Sequence, residues 1–116
     1  MKRKKLKMWN PTALLMKSKA DYDGYKKTGD SQKIAEAGEK IWNAFILYVS
    51  GLAGRRLVSF HAIENRINKI GDGQLLDVFG DAYHMHAFFH AGWTEDITME
   101  EEKWNDVYNY LKGKVG

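Results

Sequence analysis

Apolar residues recur at steps of three and four through five segments of this 116-residue chain, and no window shows sustained alternation of apolar and polar residues. A spacing of three and four places side chains on one face of an α-helix, whereas strands alternate with a period of two. A single proline leaves the helices largely uninterrupted. We therefore predict an all-α fold, an antiparallel bundle of about five helices. Residues 11–116 would form a single domain, preceded by a basic flexible tail over residues 1–10.

Capping residues mark the predicted helix ends. Asn10 followed by Pro11 is typical of an N-cap and a first helical residue. Thr98 with Glu101 matches the capping box that opens a last helix. The other predicted helices span about residues 11–27, 32–53, 59–70 and 74–92.

The second and fourth helices are expected to supply much of the core. On the second helix, Ala37 and Gly38 would let another helix approach closely because they have little or no side chain. The inner face of the fourth helix is predicted to consist of Leu75, Leu76, Phe79, Ala82, Tyr83, His86, Ala87 and His90.

Basic residues are concentrated at the start of the chain. Residues 1–7 contain five of the 18 lysines and arginines and no acids, so the remainder has 13 basic against 15 acidic residues, a balance of −2. A short basic tail can attract nucleic acid by long-range electrostatics. We predict contact with RNA or DNA through this tail, the alternative being a solvated terminus. The residues involved would be Lys2, Arg3, Lys4, Lys5 and Lys7.

Three of the four histidines fall within seven residues of the fourth predicted helix. His86 and His90 are one helical turn apart and can point the same way, whereas His84 lies on another face. A histidine pair at this spacing can bind zinc when a third ligand arrives from elsewhere. The alternative is that His86 is a hydrogen-bonded packing residue. The sequence identifies no third ligand.

A second candidate site combines Arg56 and His61, which have the spacing R-x-x-x-x-H. Histidine can act on a phosphodiester as acid or base, and arginine can stabilise the charged phosphate. A metal-independent ribonuclease would use these two residues, with His86 as a further catalytic candidate. The alternative is a helix end with a solvated arginine, because Ser59 is expected to cap a helix between the two residues.

Several functional classes lack their signatures here. The chain has no glycine-rich phosphate loop, no G-x-S-x-G and no cysteine. It also has no run of eighteen apolar residues, so we predict no transmembrane helix and no membrane partner. The absence of cysteine fits a reducing cytoplasm, and we predict a cytoplasmic protein without a cofactor. Trp93 and the short third helix favour an apolar face buried in a homodimer.

Two segments resemble the small archaeal PaREP-type proteins, and the resemblance covers about residues 11–112. The second helix, GDSQKIAEAGEKIWNAFILYV, is similar to the pattern G-D … A-x-E-K-ϕ-W-x-A. The segment AYHMHAFFHAGW resembles A-x-x-L-H-x-x-F-Y-x-G, in which His86 matches the histidine and His90 replaces the tyrosine. An acidic helix follows in both.

The resemblance implies a HEPN-like bundle, with an up-and-down four-helix core that often dimerises. HEPN stands for higher eukaryotes and prokaryotes nucleotide-binding. Many such domains are ribonucleases, toxins or partners of small nucleotidyltransferases. Their ribonucleases carry R-x4–6-H late in the bundle, whereas this chain has no arginine after Arg66. We therefore expect a dimeric interaction or nucleic-acid-associated module without a clear catalytic signature, and the sequence leaves open whether it is an enzyme. The ribonuclease and the histidine metal site are kept as alternatives.

Overall fold

The computed structural model describes residues 10–91 and 96–115, and within these ranges it contains five α-helices and no strand. The predicted all-α bundle of five helices is therefore confirmed. Within the described ranges, none of these helices combines the length and the apolar character that crossing a bilayer requires. The helices are α1 (Thr12–Thr28), α2 (Ser31–Ala53), α3 (Phe60–Ile70), α4 (Gly73–Ala91) and α5 (Ile97–Val115).

The helix starts follow the expected capping chemistry, with two corrections. Pro11 is the N-cap of α1 and not its first helical residue, and the Asn10 side chain accepts a hydrogen bond from the Thr12 amide at 3.0 Å. The capping box predicted at Thr98 is wrong. The Asp96 carboxylate accepts from the Thr98 amide at 2.9 Å, so the helix begins one residue before Thr98. Aspartate competes well for this position because it accepts from free amides at a helix start.

The second helix, α2, is the centre of the bundle and contacts each of the other four helices. Its buried residues include Ile34, Ile41, Phe45 and Val49, all completely inaccessible to solvent. Trp104 of α5 is also buried, and its indole N–H donates to Ser18 Oγ of α1 at 2.8 Å. Ser18 in turn donates to a backbone carbonyl of α2 at 2.6 Å. These two hydrogen bonds join α5, α1 and α2 inside the core.

The inner face of α4 is rotated from the predicted one. Val78, Met85 and Phe88 are buried, whereas Leu76 and Tyr83 are each 43% exposed. The reason is that α4 packs against both α2 and α5, so its buried arc extends toward α5. Ala87 and His90, which were also predicted to lie on the inner face, are exposed as well.

A glycine sets the distance between α2 and α4. A β-carbon at Gly38 would lie 2.6 Å from Met85 Cε and 3.1 Å from Met85 Cβ, closer than side chains normally approach. The close approach that the sequence predicts at Gly38 is therefore present, and the helix it admits is α4. The residues that follow these two, Glu39 and His86, are brought together as a result.

Candidate metal centre

The three histidines of α4 face two different neighbouring helices. His86 and His90 lie together on the side facing α2, with ring centroids 4.5 Å apart. His84 lies on the side facing α5, where its Nε2 is 2.8 Å from the Glu100 carboxylate. The sequence-based division into a pair and a separate histidine agrees with this geometry, which follows from the 100° turn per residue of an α-helix.

Glu39 of α2 reaches both histidines of the pair. Its Oε1 lies 2.7 Å from His86 Nδ1, a hydrogen bond in which the imidazole N–H is the donor, and its Oε2 lies 3.5 Å from His90 Nε2. One ligand atom from each of the three residues can be chosen so that all lie within 4.8 Å of one another. We call Glu39, His86 and His90 the His–Glu cluster.

The side chains of the His–Glu cluster are held in place by their surroundings. The buried Trp42 indole stacks on the His86 ring, with centroids 5.1 Å apart and planes inclined by 29°. Lys40, the residue after Glu39, forms an ion pair with Asp21 of α1. Across residues 10–91 and 96–115, no lysine or arginine contacts the Glu39 carboxylate. The carboxylate is therefore available to the two imidazoles.

The His–Glu cluster has the donor set and the access that a metal ion needs. Two imidazoles and one carboxylate are ligands that zinc takes, and a zinc site with three protein ligands keeps an open position for water. Bonds of about 2.0 Å in tetrahedral geometry place neighbouring ligand atoms about 3.3 Å apart. The two contacts of Glu39, at 2.7 Å and 3.5 Å, lie on either side of that distance. The exposed fraction is 30% for the His86 side chain and 59% for the His90 side chain, so the cluster is open to solvent.

Sequence reasoning missed Glu39 because its partners are 47 residues away in the chain. Glu39 belongs to the segment that carries the family resemblance, yet no spacing on α2 singles it out. Only the packing of α2 on α4 makes it the third ligand. Two signals were available: Glu39 is the glutamate of the pattern A-x-E-K that carries the resemblance, and it lies beside a small residue at a predicted close helix contact.

A second buried contact, between His84 and Glu100, was also missed. Glu100 lies in the first turn of α5, where it is 1% exposed and contacts the half-exposed His84. Close by, the Tyr25 hydroxyl donates to Glu101 at 2.7 Å. This hydrogen bond, together with burial, raises the pKa of Tyr25 to about 12. Two consecutive glutamates therefore connect α5 to α4 and to α1.

The structure does not bring Arg56 and His61 together. Arg56 is exposed in the connection between α2 and α3, and Ser59 caps α3 by accepting from the Ala62 amide at 3.1 Å. The His61 side chain is 87% exposed, and its ion-pair partner is Glu64 at 3.9 Å. Within the part of the chain that the structure describes, Arg56 makes no hydrogen bond or ion pair with His61. His86 is involved instead in the His–Glu cluster.

The remaining sequence-based candidates lie outside the described residues. These are Lys2, Arg3, Lys4, Lys5 and Lys7 of the basic tail, and Trp93. Nucleic-acid contact through the tail stays a prediction.

The fold and the site define a small all-α bundle with a histidine–carboxylate cluster between two central helices. The sequence model of the archaeal PaREP1/PaREP8 family matches residues 24–108, and the chain belongs to that family. The match includes α2, α3, α4 and most of α5, and therefore all three residues of the His–Glu cluster. Among curated proteins and among solved structures, none matches the chain significantly.

Proposed function

We propose that this protein binds one divalent transition-metal ion of the zinc type at the His–Glu cluster. The observation that carries the proposal is the convergence of Glu39, His86 and His90, from two helices, with ligand atoms within 4.8 Å of one another. A histidine pair alone is a weak signal, because the i and i+4 spacing is common on helices. The Glu39 carboxylate of α2 is the third ligand, which the sequence alone did not identify.

The donor types favour zinc and related ions over magnesium or calcium. Imidazole nitrogen suits zinc, copper, iron and nickel, whereas magnesium and calcium prefer oxygen ligands. Three protein ligands and an exposed side leave a coordination position for water or an added ligand. The proposed function is therefore metal binding at an open site. It requires no catalytic step.

A competing explanation is that Glu39 and the histidines form an imidazole–carboxylate contact that needs no metal. The 2.7 Å hydrogen bond between Glu39 and His86 is a complete interaction on its own. Zinc would replace its proton, because histidine ligates a metal through a neutral nitrogen. The two explanations differ in whether an added metal ion binds with one-to-one stoichiometry.

The test is calorimetric titration of ZnCl₂ into protein that carries no histidine tag, with CoCl₂ absorption spectra as a second readout. We expect one ion per chain, and visible d–d absorption that reports nitrogen and oxygen ligation of cobalt. The variants His86→Ala, His90→Ala and Glu39→Gln should each weaken zinc binding by at least about tenfold to a hundredfold. Removing a residue that only supports a metal ligand already reduces metal affinity by that much.

The control is His61→Ala, which removes a histidine that is 87% exposed and lies on α3. This variant should bind zinc as the unmodified chain does. Absence of zinc binding at micromolar concentration would overturn the proposal, and so would equal loss of binding in His61→Ala and His86→Ala. Circular dichroism of each variant checks that the bundle is folded.

A further inference from the structure

The solvent-facing side of α4 has a pattern that the isolated chain does not explain. Six residues recur on it at steps of three and four, and none is Asp, Glu, Lys or Arg. We call this set the outer face of α4: Gly73, Leu76, Gly80, Tyr83, Ala87 and His90. All six are exposed. Such spacing on an exposed, uncharged face is typical of a helix that packs against another helix.

Gly80 lies at the middle of the outer face. A β-carbon at this position would meet nothing within 4 Å, as is also the case at Gly113 of α5, so contacts within the chain do not require a glycine here. Glycine within a helix costs stability relative to alanine. A glycine beside the exposed Leu76 and Tyr83 is accounted for if another helix comes close from outside.

The order of large and small residues on the outer face is self-complementary. When a second α4 is laid antiparallel so that Tyr83 faces the partner's Gly80, Leu76 faces the partner's Ala87 in the same register. His90 then faces the partner's Gly73. Each large side chain is therefore opposite a small one, and the three pairs repeat in reverse across the two-fold axis.

We propose that the outer face of α4 is the interface of a symmetric homodimer in which the two α4 helices pack antiparallel. The occupant is a second copy of this chain, because one register satisfies all six positions at once. An unrelated partner would have no reason to match that order. Phe60 of α3 extends the apolar surface, since the centroid of its ring lies 4.8 Å from the centroid of the Tyr83 ring. The proposal requires no bound metal ion, although His90 belongs both to the outer face and to the His–Glu cluster.

The absence of cysteine makes the register directly testable by cross-linking. The double variant Leu76→Cys with Ala87→Cys should form an intermolecular disulfide on mild oxidation. Positions 76 and 87 of one chain are about 16 Å apart along the helix, too far for a bond within the chain. Either single variant should remain uncross-linked. In the antiparallel register, the two copies of position 76, and likewise the two copies of position 87, are also about 16 Å apart along the helix.

The oligomeric state provides the second readout. We expect the unmodified chain to sediment as a dimer at micromolar concentration. Gly80→Leu should raise the dissociation constant by about tenfold or more, because the added side chain occupies the space of the partner's Tyr83. The matched control is Gly113→Leu on α5, where a β-carbon also meets nothing within 4 Å. This control should remain a dimer.

Each result is decisive for the proposal. A monomer up to about 100 μM, a weaker association than standard-size interfaces give, would overturn it. Disulfide formation by the single variants would overturn the antiparallel register. A dimer that Gly80→Leu does not weaken would place the interface between the two copies away from the outer face of α4.

Discussion

Gly38 of α2 lies directly against Met85 of α4, with no room for a side chain between the two backbones. The neighbours of these two residues, Glu39 and His86, form the 2.7 Å contact at the centre of the His–Glu cluster. The geometry of the proposed metal site is therefore set by a packing contact one residue away. A change at position 38 should alter both the stability of the bundle and the site.

The substitution Gly38→Ala is expected to destabilise the bundle by about 1 kcal/mol, because a clash of about 1–3 kcal/mol is offset by the better helix propensity of alanine. It should also weaken zinc binding, since α2 must move away from α4. Urea unfolding and zinc calorimetry measure the two effects. In the control Gly113→Ala, where space is open, stability should rise by up to about 1 kcal/mol. Equal effects of the two substitutions would contradict the close-packing explanation.

Bound zinc is expected to stabilise the bundle, because it joins α2 and α4 in the folded state only. At a free zinc concentration of 100 times the dissociation constant, the free energy of unfolding should rise by about 2.7 kcal/mol. A chelator should reverse the rise, and His86→Ala should abolish it. Thermal unfolding with and without zinc provides the measurement. A zinc effect that persists in His86→Ala would locate the metal elsewhere.

Replacing His84 with alanine should destabilise the protein without affecting zinc binding. The Glu100 carboxylate is 1% exposed and accepts a hydrogen bond from the imidazole at 2.8 Å. Loss of a hydrogen bond to a charged group costs about 1.5–3 kcal/mol, and the 40% exposure of the His84 side chain places the effect at the lower end. His61→Ala is the control and should be nearly neutral. Equal unfolding midpoints for the two variants would argue against a stabilising role for His84.

The hydrogen bond between Tyr25 and Glu101 predicts a pH dependence at alkaline pH. The pKa of Tyr25 is raised from 10.0 to about 12 in the folded state. The unfolded chain therefore loses this proton first, and the stabilisation is complete below pH 10 and lost as the pH rises toward 12. Tyr25→Phe should lower stability by about 1 kcal/mol at pH 8 and by progressively less above pH 10. A constant difference between the two proteins from pH 8 to 11 would contradict this.

Deletion of residues 1–7 tests the predicted role of the basic tail. The deletion removes five positive charges and leaves a chain with a balance of −2. If the tail contacts RNA, the slope of log affinity against log salt for a single-stranded oligonucleotide should fall by up to about 3.5. Fluorescence anisotropy over a salt series measures it. Affinity that does not change on deletion would remove the tail from RNA binding.

The number and approximate bounds of the helices were predictable because each helix carries its own periodic pattern, and some also carry a recognisable cap. Ser59 is an example, since its side chain caps α3 as the sequence indicates. The face that α4 buries was less predictable. Leu76 and Tyr83 are apolar or amphipathic, yet they remain exposed. Periodicity reports which residues share a side, but it does not report how many neighbours a helix has.

The His–Glu cluster was half predictable for a related reason. His86 and His90 are on one helix, so their spacing alone puts them side by side. Glu39 is on another helix, and its position depends on the contact between Gly38 and Met85. Sequence spacing constrains residues within one helix, whereas a site between helices depends on packing. The same limit applies to Glu100, whose partner His84 is on a different helix.

The central position of α2 has a consequence for how the protein opens. Because α2 contacts every other helix, it cannot detach unless the whole bundle comes apart. Its buried amides around Ile41 and Phe45 are therefore expected to be the slowest in the chain to exchange with deuterium, at the rate of global unfolding. Among the described helices, the short α3 has its main contacts with α2 and α4, and its amides should exchange through local opening. Glu39 is thus anchored in the most persistent element of the molecule.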